Sequence, residues 1–370
     1  MTKVSLTKEE GDLYTALTKT IDDIGEKVID SGDIVLIKPN LVEPLAPDSG
    51  NVTNPRLIEA VARYCLNQGA ARVIIGEGPS YYQPESRLRE CFTRTGVSQI
   101  ANRLGIEWVL FDEHEYRTFK EVSDCTPEEF RVTEFAFTCD KFINLPVLKT
   151  HPLTTVTLAM KNLKGCLKRE DKPRFHHYDL PRAVVELCKI VRPTFNIIDA
   201  TTWKQTKSRL LIASSDIVAV DAVGCALMGI NPQEVHTVSL GAAAGLGESD
   251  LTRIDILGEE IKRLKFKVKL PQEQLREDFP LLELIGAEKA CSGCLIPLFS
   301  ALSLLRERGI KPERPLAILL GRDPKPPEDK DWLMVGNCDQ VEKKNEENRV
   351  GGCPPDREEL LNSLIRVITR

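Results

Sequence analysis

The chain has little that would suit a nucleic-acid or membrane protein. Its 370 residues carry 50 Lys+Arg against 55 Asp+Glu, a formal net charge of -5, so the basic footprint that binds phosphate backbones is missing. Its best apolar run, Ile217 to Ile230, is interrupted by Asp221 and is too short to span a bilayer. Glycine and proline number 23 each, too few and too scattered for a collagenous or low-complexity chain. No Gly-x-Gly-x-x-Gly follows a strand pattern and no Walker A loop occurs, which removes two common nucleotide-phosphate cradles. The opening residues contain no apolar targeting stretch, and the sequence predicts a cytoplasmic protein.

Cysteine, by contrast, is plentiful, with 11 residues. A reducing compartment disfavours disulfides, so these are free thiols, metal ligands or catalytic groups. Those at 65, 91, 125, 139, 166, 188 and 225 are scattered and read as small buried hydrophobes. The other four, Cys291, Cys294, Cys338 and Cys353, cluster near the end of the chain beside Gly or Pro. Four thiolates complete the ligand set of a [4Fe–4S] cluster or of a tetrahedral zinc. Structural zinc usually takes two close pairs, whereas Cys338 and Cys353 are well separated, so the spacing favours iron–sulfur over zinc.

Residues 1–245 alternate short β-branched runs with helical spacing. Strand patterns cover 34–37, 72–76, 107–111, 141–145, 194–199 and 209–213, and helical patterns 55–68, 154–167, 180–191, 217–228 and 232–244. The alternation predicts a mainly parallel-sheet α/β domain. Residues 246–290 lose this regularity, apart from strand patterns at 253–257 and 266–270, and read as a connecting region. Residues 291–370 read as a small cysteine-ligated α/β unit, with helices at 295–308 and from 356 onward around a strand at 316–320. So short a unit is expected to need a metal staple.

The second notable feature is charge. Residues 141–177 hold eight basic side chains against Glu170 and Asp171, with three of the five histidines. Positive charge this concentrated usually faces an anion. Lys38 and Asn40 follow the first strand pattern, and Lys149 and His151 follow the one ending at Leu145. Strands that deliver such groups at their carboxyl ends build an anion clamp. Lys38, Asn40, Lys161, Asn162 and Lys164 are therefore candidate substrate-binding residues, and Lys149, His151, His176 and Asp199 candidate catalytic ones. The bland alternative is an amphipathic helix over 154–167 with a solvated lysine face. Asp216 is placed to cap the next helix, and Asp221 must be exposed or paired with a buried base.

The segments Ile37-Lys-Pro-Asn-Leu-Val42, Leu145-Pro-Val-Leu-Lys-Thr-His151, Met160-Lys-Asn-Leu-Lys-Gly165 and Ser215-Asp-Ile-Val-Ala-Val-Asp-Ala222 resemble the domain of unknown function 362 family. That resemblance implies an iron–sulfur protein. The Cys-x-Gly-Cys, Gly-x-Cys and Gly-Cys-Pro-Pro order of Cys291, Cys294, Cys338 and Cys353 resembles the proximal [4Fe–4S] site of nickel–iron hydrogenase small subunits and the matching complex I subunit. It implies a cluster in a flavodoxin-like setting. The sequence thus predicts an iron–sulfur redox enzyme acting on a small anionic substrate or phosphorylated cofactor, with an electron-transfer protein as a further partner. The alternative is a non-redox lyase, transferase or ligand-binding protein with a structural cluster or zinc.

Overall fold

A computed structural model of the chain describes residues 1–81, 85–202, 208–338 and 346–369. The chain forms two units, one of Met1–Thr150 and Val156–Val268, the other of His151–Thr155 and Lys269–Arg370.

Among the described residues, the first unit is organised by an eight-stranded sheet. Its strands are β1 (Thr2–Lys8), β2 (Ile34–Pro39), β3 (Arg72–Glu77), β4 (Glu107–Leu110), β7 (Lys141–Leu145), β10 (Phe195–Ala200), β11 (Leu210–Ser214) and β12 (Ile254–Gly258), in the order β12-β1-β11-β10-β7-β2-β3-β4. The five strands from β10 to β4 are mutually parallel, and only β11 runs antiparallel to its neighbours β1 and β10. Two ribbons, β5 (Tyr116–Lys120) with β6 (Glu129–Thr133) and β8 (Lys149–His151) with β9 (Thr155–Thr157), stand outside it.

Strand periodicity decides what each face carries. Val35, Ile37, Ile143, Leu145 and Ile197 share a core with Leu17 and Ile21 of the helix Leu13–Ile24 and with Leu57 and Val61 of the helix Pro55–Asn67. Asn54 caps the latter by accepting from the Arg56 N–H. Ile198 points the other way, toward Gly224 of the helix Ile217–Leu227. That helix is buried on every side, as a sequence apolar all round but for Asp221 requires.

The mainly parallel α/β architecture agrees with the sequence reading. The helix expected over 154–167 does not form as one piece. Thr155 takes a left-handed conformation at φ 63°, the β-branched residues Thr155–Thr157 make β9, and helix exists only at Ala159–Asn162 with a 3-10 turn at Leu163–Cys166. Residues 266–270 form no strand, since the Phe266 and Val268 N–H groups donate to Leu227 O and Met228 O at the end of a helix.

The second unit holds a four-stranded, all-parallel sheet, β13 (Leu282–Ile285), β14 (Leu316–Leu319), β15 (Asp331–Val335) and β16 (Arg349–Val350), in that order. The helices Ser292–Glu307 and Arg357–Ile368 pack together over it, burying Leu298, Leu305, Ile318, Leu333, Leu360 and Leu364. The segment 246–290 is divided: β12 edges the first sheet, and β13 belongs to the second. Leu275, Phe279 and Leu282 contribute to the second core before Cys291 is reached.

Candidate functional site

From β2 the chain moves outward to β3 and β4, then returns to β7 on the other side of β2. The carboxyl ends of β2 and β7 therefore flank a switch in strand order, where parallel sheets open a crevice for ligands. In-register pairing sets Lys38 opposite Asn144, Asn144 opposite Asn196, and Asn196 opposite Ser214. Register partners project to the same face, so these four polar residues form a row across the sheet.

Lys38 and Asn144 are fully buried. The Lys38 ammonium lies 2.8 Å from the Glu77 carboxylate and also donates to Pro39 O at 3.0 Å. Glu77 in turn accepts from the N–H groups of Leu41 at 3.1 Å and Gly78 at 2.9 Å. The pair closes the gap between the ends of β2 and β3. Gly165 sits against it: a Cβ there would come within 2.2 Å of Glu77 Oε1 and 2.5 Å of Lys38 Nζ. The sequence reading had Lys38 facing a ligand; its charge is already matched by Glu77, and it supports the rim from beneath.

Asn144 donates to Asn196 Oδ1 at 3.0 Å and accepts from Asn162 Nδ2 at 2.8 Å. Asn162 accepts from Asn40 Nδ2 at 2.7 Å, and Asn40 Oδ1 accepts from the Lys149 ammonium at 2.8 Å. Lys149 also donates to Asn51 O at 2.8 Å. A continuous chain of carboxamides thus runs from the sheet to Lys149. Among the described residues both acceptors on Lys149 are neutral oxygens. Loss of solvent, with Lys38 adding to it and Glu43 and Glu77 opposing, pulls the Lys149 ammonium down to about 8. Lys161 precedes Asn162 in the same helical turn. Loss of solvent and the charge of Lys149 pull it down to about 7.

Other predicted residues lie elsewhere. Lys164 is buried, with its ammonium 2.8 Å from His176 Nε2, so the idea of a solvated lysine face fails here. Asp199 accepts from the Asn54 N–H at 2.7 Å and from the Thr201 N–H and hydroxyl at 2.8 and 2.7 Å; those partners fix the entry to a helix, and no histidine is among them. His151 falls in the second unit, where its Nδ1 accepts from the N–H groups of Leu153 and Thr154 at 3.1 and 3.2 Å. Asp216 caps the helix Ile217–Leu227 as expected. Asp221 is buried but, among the described residues, pairs with no base: it accepts from the Ala159 and Met160 N–H groups at 2.6 and 3.0 Å, and burial pushes its carboxyl up to about 7. Sequence reasoning passed over Glu77 and Asn144. The acid flanked by two glycines at a strand end, Gly76-Glu77-Gly78, was the available signal for the first.

In the second unit, Cys291 and Cys294 follow β13, Cys338 follows β15 and Cys353 follows β16. All of these strands are parallel, so the four cysteines follow one sheet edge, Cys291, Cys338 and Cys353 in its loops and Cys294 in the first turn of the helix Ser292–Glu307. The thiols influence one another. A hydrogen bond with Cys291 and then burial, with the charges of Cys291, Cys338 and Cys353 adding to them, hold Cys294 far above an ordinary thiol. Gly336 comes close to this group: a Cβ on it would lie 2.6 Å from Cys294 Sγ. Among the described residues no three His, Cys, Asp or Glu side chains stand in a metal-holding group. No described helix is long and apolar enough to cross a membrane.

Residues 35–226 match the family described as "Domain of unknown function (DUF362)". A thylakoid-associated protein of Synechocystis sp. is 26% identical over 290 residues, which are 74% of this chain and 88% of that protein. Among solved structures, the lactate racemase apoprotein from Thermoanaerobacterium thermosaccharolyticum is similar over 62% of this chain, with 14% identity and a TM-score of 0.40. A Thermotoga maritima protein is similar over 64% of it, with 12% identity and a TM-score of 0.34. The aligned parts span 58% and 60% of those two chains.

Proposed function

The chain belongs to the DUF362 family, and from that starting point we propose that it is an iron–sulfur redox enzyme acting on a small anionic substrate. The observation that carries this reading is that Cys291, Cys294, Cys338 and Cys353 all follow the carboxyl ends of strands of one parallel sheet. The donor set suits a cluster: it consists of four thiols whose mutual repulsion on ionisation a cationic iron–sulfur core would relieve. Gly336 leaves the space beside Cys294 that ligation requires. Once bound, a [4Fe–4S] cluster supplies one-electron transfer, with an electron-transfer protein as its partner; zinc in the same set would supply structure alone.

In the first unit Lys149 and Lys161 take the anion, with Asn40 and Asn162 orienting Lys149. Their ammonium groups have no carboxylate partner among the described residues, so a substrate carboxylate or phosphate makes the charge-assisted bonds. A second reading, non-redox lyase or transferase chemistry with a structural metal, is favoured by Lys161, whose amine is half deprotonated near neutrality. The deciding experiment is anaerobic purification with iron, sulfide and zinc analysis and EPR of the reduced protein. About four iron and four sulfide per chain with a reversible EPR signal support the redox reading. Stoichiometric zinc without sulfide overturns it.

A further inference from the structure

We propose that Lys161 is an imine-forming lysine, whose amine condenses with the carbonyl carbon of a small 2-oxo acid while the Lys149 ammonium holds the acid's carboxylate. The inference rests on the anion-site reading above and deepens it by naming the substrate class.

The geometry sets the half-buried Lys161 apart from the buried lysines of the first unit. Lys38 is ion-paired with Glu77. Lys172 is held on Gly78 O and Pro79 O at 2.7 and 2.9 Å. Lys164 sits on His176. The Lys161 ammonium has no hydrogen-bond or ion-pair partner among the described residues. The backbone that carries it is nonetheless fixed, because Asn162, the next residue in its helical turn, is bonded to both Asn40 and Asn144. Asn40 is also the residue that holds Lys149. One network therefore runs from the Lys149 ammonium to the helical turn that carries Lys161, close enough for the charge of Lys149 to act on Lys161.

Such a pair divides the labour of a carbonyl reaction. The charged groups acting on Lys149 are Lys38, Glu43 and Glu77, and the one acting on Lys161 is Lys149. The two carboxylates help Lys149 to stay an ammonium, whereas the like charge beside Lys161 favours its free amine. A neutral lysine amine next to a second cation is an activated nucleophile. Its nitrogen lone pair attacks the carbonyl carbon, and the carbonyl π electrons move to oxygen. A proton passes from nitrogen to oxygen to give the carbinolamine. Loss of that oxygen as water leaves C=N. The sum is amine plus carbonyl giving imine plus water, with no oxidant or reductant.

The test uses the full chain with pyruvate as the probe and borohydride as the trap. Intact mass should show a single reduced adduct, and peptide mapping should place it on Lys161. Trapping should rise with a midpoint near pH 7, in line with a lysine held at about that value. Lys161→Arg keeps the charge and cannot form an imine, so it should abolish trapping while still binding oxalate in calorimetry. Lys149→Met should weaken saturation by pyruvate about tenfold or more and move the trapping midpoint to higher pH, because the neighbouring charge is gone. Adducts on Lys149, adducts spread over surface lysines, or equal trapping in Lys161→Arg would overturn the inference. Binding of pyruvate and oxalate without any adduct overturns the imine alone and spares the anion site. Binding of neither, nor of phosphate, overturns the site reading itself.

Discussion

Asn40 Nδ2 donates to Asn162 Oδ1 at 2.7 Å across 122 positions of sequence, and this bond sets the direction of the whole amide chain. Because Asn40 gives its amino group to Asn162, its oxygen is left for the Lys149 ammonium. Because Asn162 receives on its oxygen, its own amino group turns to Asn144 Oδ1. Each carboxamide is thereby held in one orientation, and the chain presents an acceptor at the rim. A rigid acceptor places the lysine before any ligand arrives, which spares the ordering cost of binding.

Asn162→Leu removes the middle of this chain and leaves a donor on Asn40 and an acceptor on Asn144 buried without partners. The expected loss is about 1–3 kcal/mol, read as a lower urea midpoint with an unchanged m-value. Anion affinity should fall as well, because Asn40 no longer fixes Lys149. An unchanged midpoint would mean that the amides are not energetically connected.

The Lys38–Glu77 pair calls for a double-mutant cycle. Both side chains are almost fully buried, with side-chain exposures of 0% and 3%. Removing one charge strands the other, so Lys38→Met and Glu77→Gln should each cost about 3–5 kcal/mol. The double variant should cost clearly less than the sum. Glu77→Gln should be the worse single change if the Leu41 and Gly78 N–H bonds depend on the carboxylate. Additive losses from urea titrations would refute coupling between the two residues.

The sheet was legible because it depends on local pattern: β-branched runs of 4–6 residues bounded by Gly, Pro or polar residues read as strands. The segment 154–167 was misread because its 3–4 spacing of apolar residues is compatible with a helix. What breaks the helix is tertiary: Asp221 accepts from the Ala159 and Met160 N–H groups and sets a new start there. The ion pair was half legible. Lys38 stood out at a strand end, but its partner lies 39 positions away, and no local rule joins a Gly-Glu-Gly turn to it. Asn144 was hidden inside an apolar strand, where only the register with Asn196 gives it a role. Long-range register is what a single sequence carries least.

Protonation of the two rim lysines should make stability depend on pH. In the folded protein Lys149 and Lys161 titrate at about 8 and about 7, against 10.5 for an ordinary lysine. Between about 7 and 10.5 the unfolded chain therefore binds more protons than the native one, and these residues make the protein more stable as pH rises through that window. The contribution is absent below about 7, where both states are protonated. A bound anion favours the ammonium forms and should flatten the slope. Urea titrations from pH 6.5 to 10 check this, with and without phosphate, against Lys161→Met, whose slope should be shallower. Slopes unaffected by both phosphate and the substitution would show that these lysines are not desolvated.

The final prediction concerns room beside Cys294. Gly336 adopts φ +94°, a conformation that side chains other than glycine rarely take, and a Cβ there would lie 2.6 Å from the Cys294 sulfur. Backbone geometry and close approach therefore both call for glycine. If Cys291, Cys294, Cys338 and Cys353 hold a cluster, Gly336→Ala pushes on one ligand directly and strains the loop that carries another. Iron and sulfide per chain should then fall well below the wild-type content after identical anaerobic preparation. The core around Leu298, Ile318 and Leu364 lies on the helices and strands of that unit and should stay folded by circular dichroism. Cys125→Ser serves as the control, because that thiol belongs to the first unit and should leave the metal content unchanged. Full iron and sulfide in Gly336→Ala would mean that Cys294 is not a ligand, and any cluster would then need a different set of thiols.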